Sequence, residues 1–560
     1  MSILGNHPKG LYALALANTG ERFGYYTMIA IFVLYLQAKY GFSEGYASTV
    51  YGAFLAAVYF MPLIGGIMAD RFGYGKMINY GFAIMFAGYL CLSLPMHGGA
   101  FSLAVMFAAL VLIAMGTGLF KGNLQVLMGN LYDEPRYSSM RDTAFSIFYM
   151  AINLGAFFAP SAANAVTEYF LSRKGFVYDA SIPALAHGYL DGSITENSME
   201  VLEGLKQAQH YSGDMASFCN SYITAVSDSY SYSFGVACLS LILSVLIYRI
   251  FRKTYIHADC RSSQSTDKGE EAKAAVAGEL TPGQTRKRIV ALLLVFAIVI
   301  FFWMAFHQNG LTLTFFARDY TAHLITGDGR MWFDTVTLTC AIVFIYSLVF
   351  LFRSATMRGR IFSVSAAMVA AATAIYRYNT AEEVVSINPS IFQQFNPFFV
   401  IVLTPLSVWI FSMLAKRGKE PSAPRKIGYG MIVAAAAFMI LVAGSAGLMT
   451  PDQVKAAGVS SRLVSPDWLI YTYLSLTFAE LLLSPMGISF VSKVAPPRYK
   501  GAMMGCWFAA TAIGNYLVSV VGYLWGGLPL WCVWGVLMAC CLLSAVIIFS
   551  LMKRIEAATR

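Results

Sequence analysis

The sequence predicts an all-α integral membrane protein with about fourteen transmembrane helices, and three observations lead to that class. Of 560 residues, 58% are hydrophobic and 12% charged, where soluble domains carry about 25% charged residues. The apolar runs last about 20 residues, the length a helix needs to cross hydrocarbon, instead of alternating over about ten as barrel strands do. The basic residues gather in short loops, as orientation by positive charge requires. A bilayer core accepts only helices or closed barrels, because an unpaired backbone group is costly there.

Apolar windows between polar breaks place the spans, in order, at 12–36, 47–69, 77–95, 101–128, 143–168, 230–250, 288–315, 333–352, 361–376, 391–414, 428–449, 467–491, 501–524 and 529–552. An even number puts both termini on one side. With the termini in the cytoplasm, about 28 of the 39 Lys and Arg fall at inner positions and about 9 at outer ones, leaving Arg22 and Lys121 at membrane depth. The expected location is the inner (plasma) membrane, multi-pass, with both termini cytoplasmic.

The net charge of +10 forms no patch or aromatic-interleaved stripe, so no nucleic-acid partner is expected. Lys9 followed by LYALALA imitates a signal peptide, but the apolar stretch resumes beyond Gly24 to full spanning length, so cleavage is not expected. Of nine cysteines only Cys219 falls in a segment placed outside, which gives no intramolecular loop disulfide.

The organisation follows from two long breaks. Residues 1–250 form an N-terminal six-helix bundle with an extracytoplasmic loop at 169–229, where ITENSMEVLEGLKQA predicts a small amphipathic surface helix. Residues 251–287 are charged and lack apolar periodicity, and read as a cytoplasmic linker. Residues 288–560 form a C-terminal six-helix bundle with an inserted helix pair at about 333–376, expected to be a peripheral, lipid-facing hairpin.

Polar residues inside such spans point to function, since an ionisable group at the bilayer centre costs about 2.5 to 3.5 kcal/mol on insertion scales. In the first span, helical spacing puts Asn18, Glu21, Arg22, Tyr25, Tyr26 and Ile29 on one face, either a ligand-facing wall or a salt bridge between helices. In the second, Tyr59 precedes Gly65-Gly66, which permit close helix approach, and Asp70, Arg71 and Lys76 at the inner turn. That D-R-x-G-x-x-K run resembles the signature of the major facilitator superfamily, where the charges gate the inner helix ends; a plain positive-inside loop is the alternative.

Lys121, beside Asn123, is either a snorkelling lysine or a cationic anchor for an anionic group. Tyr149 and Asn153 lie four apart on one face, as interhelical glue or as ligand contacts. His307 and Gln308 sit at membrane depth beside Trp303, a second place where protonation matters. Gln393 and Asn396 precede Pro397, expected to free a carbonyl in that helix. Glu480, Ser484 and Pro485 combine a carboxylate with an expected kink that opens backbone to a cavity. Trp507 and Asn515 follow in the next span.

Together, E-R-F-x-Y-Y, G-G-x-x-A-D-R, F-Y-x-x-I-N-x-G, Q-x-x-N-P, E-L-L-L-S-P-x-G and M-M-G-x-W-F-x-A-T-A-x-G-N-Y-L resemble the proton-dependent oligopeptide transporters over nearly the whole chain. The resemblance implies a major facilitator fold of two six-helix bundles plus the extra hairpin, alternating access, and symport of protons with di- and tripeptides. It implies no cofactor beyond the proton gradient, short peptides and the lipid bilayer as partners, and a functional monomer. Residue by residue it makes Glu21 and Arg22 the proton-coupling pair, Tyr25, Tyr26 and Tyr59 cavity tyrosines, and Lys121 a partner of the peptide carboxylate. Asn153, Gln393, Asn396, Glu480, Ser484 and Trp507 would line the pocket, with Glu480 facing the peptide amino group.

The chain departs from the family pattern at three charge positions. Asn18 replaces an acid, Ile29 an arginine, and His307 the acid of the seventh-span E-Q pair. The same fold transporting an anion or an amino-acid-like metabolite is therefore the alternative reading. A membrane-embedded enzyme is disfavoured, since the chain holds no H-E-x-x-H and no G-x-S-x-G. Gating prolines and paired charges facing one cavity also suit alternating access better than an open pore.

Overall fold

The computed structural model describes residues 7–134, 136–137, 140–259, 281–354, 356–496 and 499–557. Side chains at 142, 485, 488, 489, 492, 500 and 501 lie outside that description. The described residues are mainly helical, with α1 at Lys9–Tyr40, α2 at Glu44–Phe72, α3 at Tyr74–Ser93, α4 at Ala100–Asn130, α5 at Arg141–Arg173, α6 at Ile182–Leu190, α7 at Glu196–Ala208 and α8 at Met215–Ile250. Then follow α9 at Pro282–Phe306, α10 at Thr312–Asp319, β1 at Leu324–Thr326, α11 at Thr335–Arg353, α12 at Met357–Thr380 and β2 at Val384–Ser386. The last third holds α13 at Phe395–Lys416, α14 at Ala423–Gly444, α15 at Pro451–Ala457, α16 at Asp467–Val494, α17 at Lys500–Gly527, α18 at Leu530–Ser550 and α19 at Met552–Ala557.

Each of the fourteen expected spans has a helix of 19 residues or more, and eleven candidate spans pass on length and hydropathy alone. The fold is an all-α membrane bundle. In the first set of helices α1 packs on α5 and α8, and α4 on α2 and α3; in the second, α14 packs on α16 and α18, and α9 on α17. The two sets meet where α2 lies along α17 and α5 lies against α13.

Glycine decides how closely α2 and α4 approach. A Cβ at Gly65 would run into the Gly118 carbonyl, and one at Gly118 would meet the Met61 backbone. Neither neighbour is a flexible side-chain tip, so Gly65→Val is expected to destabilise at the upper end of overpacking, about 3 kcal/mol. A lowered apparent melting temperature of the purified protein checks it, and an unchanged one would show that α2 and α4 can separate at no cost.

Several boundaries move for local reasons. α9 begins at Pro282, inside the segment read as linker, because Thr281 and Gln284 form a reciprocal capping box ahead of it. Residues 260–280 of that linker lie outside the described residues. α8 starts at Met215, well before the expected 230, so Cys219 is a buried helix residue and not an outer-loop thiol.

The outer loop carries the expected surface helix. Thr195 caps α7 by accepting from the Ser198 amide at 3.3 Å. α6 was not anticipated; it buries Ile182, Leu185 and Ala186, largely against α8.

The inserted pair, α11 and α12, is closed at its neck by the antiparallel ribbon β1–β2, and an Arg377–Asp334 ion pair of 2.8 Å ties its two helices. Only Leu338 and Ser347 of α11, and Ser363 and Ala370 of α12, are buried. α12 therefore turns its apolar side outward. α11 does more than face lipid: the Thr335 and Ser161 hydroxyls are 2.7 Å apart, and Tyr346 Oη donates to the Ile401 carbonyl at 3.1 Å. It thus touches both α5 and α13.

The hydrogen bonds that join the two helix sets lie at or beyond the level of Tyr149, toward the ends opposite the termini. Arg318 donates to Gln37 at 2.6 Å and to Glu44 at 3.3 Å, Asn388 to Glu168 at 2.6 Å, and Ser390 to Asn164 at 2.5 Å. Thr195 and Ser198 donate to carbonyls of Ala456 and Lys455 at 2.5 and 2.9 Å. The described bonds between the sets therefore concentrate at the end opposite the termini.

Candidate functional site

Between the two helix sets lies a cavity of about 280 Å³, walled by α1, α2, α4, α5, α9, α13, α16 and α17. From the first set Arg22, Tyr25, Tyr26, Tyr59, Lys121, Tyr149 and Asn153 reach it, and from the second His307, Gln393, Asn396, Glu480, Ser484 and Trp507. Residues chosen from eight separate segments thus converge on one space.

Glu21 and Arg22 are bonded to each other. Arg22 Nε donates to Glu21 Oε2 at 2.5 Å and Nη2 to Oε1 at 2.6 Å, with Glu21 fully buried and Arg22 3% exposed. This is a bidentate pair of neighbours on one helix, not a bridge between helices. Only its cation reaches the cavity, where the guanidinium lies 4.8 Å from the Tyr25 ring centre. Asn18 is buried and does not line the space, whereas Ile29 does.

Lys121 has its ammonium 4.2 Å from the centre of the Tyr59 ring and no ion-pair partner among the described residues. The His307 ring meets the same tyrosine edge-on, with centres 5.7 Å apart. His307 Nδ1 lies 3.2 Å from the Trp303 carbonyl. A carbonyl only accepts, so Nδ1 carries the hydrogen and Nε2 is left as an acceptor.

Glu480 belongs to both halves of the wall. Asn396 donates to Oε2 at 3.0 Å from the second set, and Tyr149 to Oε1 at 3.3 Å from the first. Gln393 crosses the same way, donating to the Ala30 carbonyl at 3.1 Å. Asn153 spends a donor on its own helix, at Tyr149 O. The Ser484 hydroxyl and the Trp303 indole N–H are buried without partners among the described residues, and both side chains border the cavity.

Two expectations, for Gln308 and Pro397, need correction. Gln308 does not line the cavity: fully buried, it donates to Met304 O at 3.0 Å and accepts from Thr312 at 2.8 Å, bracing the break between α9 and α10. The seventh span is interrupted by a 3-10 turn at His307–Gly310, a break the sequence reading did not place, while α16 runs from Asp467 to Val494. The Pro485 side chain itself lies outside the described residues. Pro397 breaks nothing, because it sits in the first turn of α13, where a missing N–H is tolerated. At the turn after α2, Asp70 accepts from Tyr74 Oη at 2.9 Å.

The cavity also recruits Tyr51, Gln125, Trp303, Asn309 and Thr511, which the sequence reading left aside. Helical spacing was the available signal. Tyr51 is two turns from Tyr59, Gln125 one turn from Lys121, and Thr511 one turn from Trp507.

Comparison with known proteins agrees with this architecture. The profile of the POT family matches residues 75–277 and 347–525. Peptide transporter YePEPT of Yersinia enterocolitica is 26% identical over 542 residues, covering 92% of this chain and 88% of that protein. Dipeptide and tripeptide permease B of Xenorhabdus bovienii is 25% identical, covering 93% and 88%. Among solved structures, a peptide transporter POT in complex with sulfate superposes with TM-score 0.66 at 21% identity, over 99% of this chain and 96% of that one. A POT family transporter in complex with 5-aminolevulinic acid superposes with TM-score 0.67 at 19% identity, over 99% and 98%. Tetrameric PepTSo2 does so with TM-score 0.61 at 19% identity, over 98% and 99%.

Proposed function

The chain belongs to the POT family, and on that premise we propose that it is a secondary transporter that takes up di- and tripeptides with protons by alternating access. The observation that supports it most is the placing of two opposite charges in one cavity, Lys121 on α4 and Glu480 on α16. A short peptide is a zwitterion with variable side chains. It needs a cation at one end, an anion at the other and adaptable walls between. Because the two charges stand on different helix sets, a bound peptide ties the sets together, and its departure releases them.

In this reading Glu21 and Arg22 couple the proton, with His307 and Glu480 as further proton sites, and the tyrosines with Asn153, Gln393, Asn396, Ser484 and Trp507 hold the peptide. Asp70, Arg71, Lys76 and Pro485 act at the inner end, where the gate must close in the opposite state. The chain works in the plasma membrane with both termini in the cytoplasm, as a monomer and with no cofactor, since one chain encloses the whole cavity.

The test is uptake of a labelled dipeptide into proteoliposomes under an imposed inward proton gradient. Gradient-dependent uptake is expected, and its failure across a panel of di- and tripeptides overturns the reading; competition by an inorganic anion alone would favour the anion alternative. For the carboxylate anchor, Lys121→Ala is expected to weaken binding of a free peptide about tenfold, the value of one charge-assisted hydrogen bond. Its affinity for the C-terminal amide should stay unchanged in the same titration, and equal losses for both ligands would remove Lys121 from that role.

A further inference from the structure

The insertion ends in a concentration of positive charge. At the turn between α11 and α12, Arg353, Arg358 and Arg360 are all exposed, and α13, which packs on α11, ends in the exposed Lys416, Arg417 and Lys419. None of the six has an acidic partner among the described residues. The nearby Glu420 is held by Lys426 at 2.5 Å. Arg360 Nε donates to the Ser354 carbonyl at 3.2 Å, which fixes its root to the turn and leaves the rest of the guanidinium free to donate.

The apolar surface next to these cations is large and unpaired. Phe352 is 85% exposed, Met357 72% and Phe362 76%. At the opposite end of the hairpin the charge is mixed, with Asp328, Asp334, Glu382 and Glu383 beside Arg330 and Arg377. A hairpin with an apolar flank, an all-cationic tip and a mixed far end is matched by one leaflet of negatively charged lipid.

α11 also stands over the joint that must move. Thr335 meets Ser161 and Tyr346 lies 3.7 Å from the Met150 sulfur, both on α5, while Tyr346 also holds the Ile401 carbonyl of α13. α5 and α13 belong to different helix sets. Whatever fixes the hairpin in the membrane therefore acts on the seam.

We propose that the Arg353–Arg358–Arg360 tip, with the basic end of α13, is a binding surface for the headgroups of anionic glycerophospholipid, and that lipid bound there sets the position of α11 across the seam and so the transport rate. The headgroup phosphate accepts from the guanidinium forks while the acyl chains lie along α12. The consequence for transport rests on the reading above; lipid binding does not.

The test compares wild type with the R353Q/R358Q/R360Q triple variant in vesicles of phosphatidylcholine alone and of phosphatidylcholine mixed with phosphatidylglycerol. Substrate exchange is measured without a gradient, so that proton leak plays no part. Wild type is expected to speed up at least about threefold on adding phosphatidylglycerol, and the variant to stay at the phosphatidylcholine rate. In detergent, added phosphatidylglycerol but not phosphatidylcholine should raise the apparent melting temperature of wild type and leave that of the variant unchanged. Equal responses of the two proteins, or none in either, overturn the proposal. A melting shift confined to wild type with no peptide exchange in any vesicle upholds the lipid site and overturns the peptide reading instead.

Discussion

Glu21→Gln is expected to lower gradient-driven peptide uptake by at least about a hundredfold while exchange of substrate for substrate survives within a few fold. The argument starts from the bidentate pair, whose carboxylate is fully buried and whose guanidinium borders the cavity. Asn18 and Ile29 have removed the other charges that the family pattern places on this helix face, so Glu21 is the one carboxylate of α1. Neutralising it leaves Arg22 a buried, uncompensated cation, which costs about 3 to 5 kcal/mol when one partner of such a pair is lost. That penalty falls on the proton-carrying part of the cycle. Lys121 and Glu480, which the peptide would bridge, are untouched, so exchange continues. Both assays run on the same proteoliposomes, and Glu21→Asp, which keeps the charge, separates loss of coupling from loss of fold. Driven uptake that survives in the glutamine variant would move the proton site to His307 or Glu480.

What the sequence made legible was composition and face. Runs of apolar residues marked all fourteen long helices, and polar residues isolated within those runs marked most of the cavity, because each is too costly at membrane depth to be there without a purpose. Less legible was which side of its own helix a polar residue takes when the helix is not regular. Gln308 follows His307 directly, yet across the 3-10 turn at His307–Gly310 consecutive residues point about 120° apart, so His307 and Asn309 reach the cavity and Gln308 does not. Proline was a poor guide for the opposite reason. Pro397 reads as a break only until the helix start is known, and that start is set by the preceding 3-10 turn at Pro389–Gln394. The crossing contacts of Glu480 were out of reach altogether, since Tyr149 and Asn396 lie 331 and 84 residues away in sequence.

Those crossing contacts give the other large effect. Glu480→Gln is expected to weaken binding of a dipeptide with a free amino terminus about a hundredfold and to leave the N-acetylated peptide nearly unchanged. Glu480 accepts from Asn396 and Tyr149 through separate oxygens, and a carboxylate has about four lone-pair sites, so two remain for an ammonium group. Glutamine keeps the size and can keep both bonds, its oxygen accepting from Asn396 Nδ2 and its amide donating to the Tyr149 hydroxyl, but it carries no charge and turns amide hydrogens toward the peptide cation. The acetylated peptide offers no cation, so it has nothing further to lose. Titration of both ligands against wild type and variant checks this. Were both weakened alike, Glu480 would be holding α5 to α16 instead of holding the peptide, and Tyr149→Phe would then reproduce the defect. If the amino-terminal dependence is lost selectively, Tyr149→Phe should instead change the exchange rate more than the affinity, because the ring stays in the cavity wall while one bond between the two helix sets is lost.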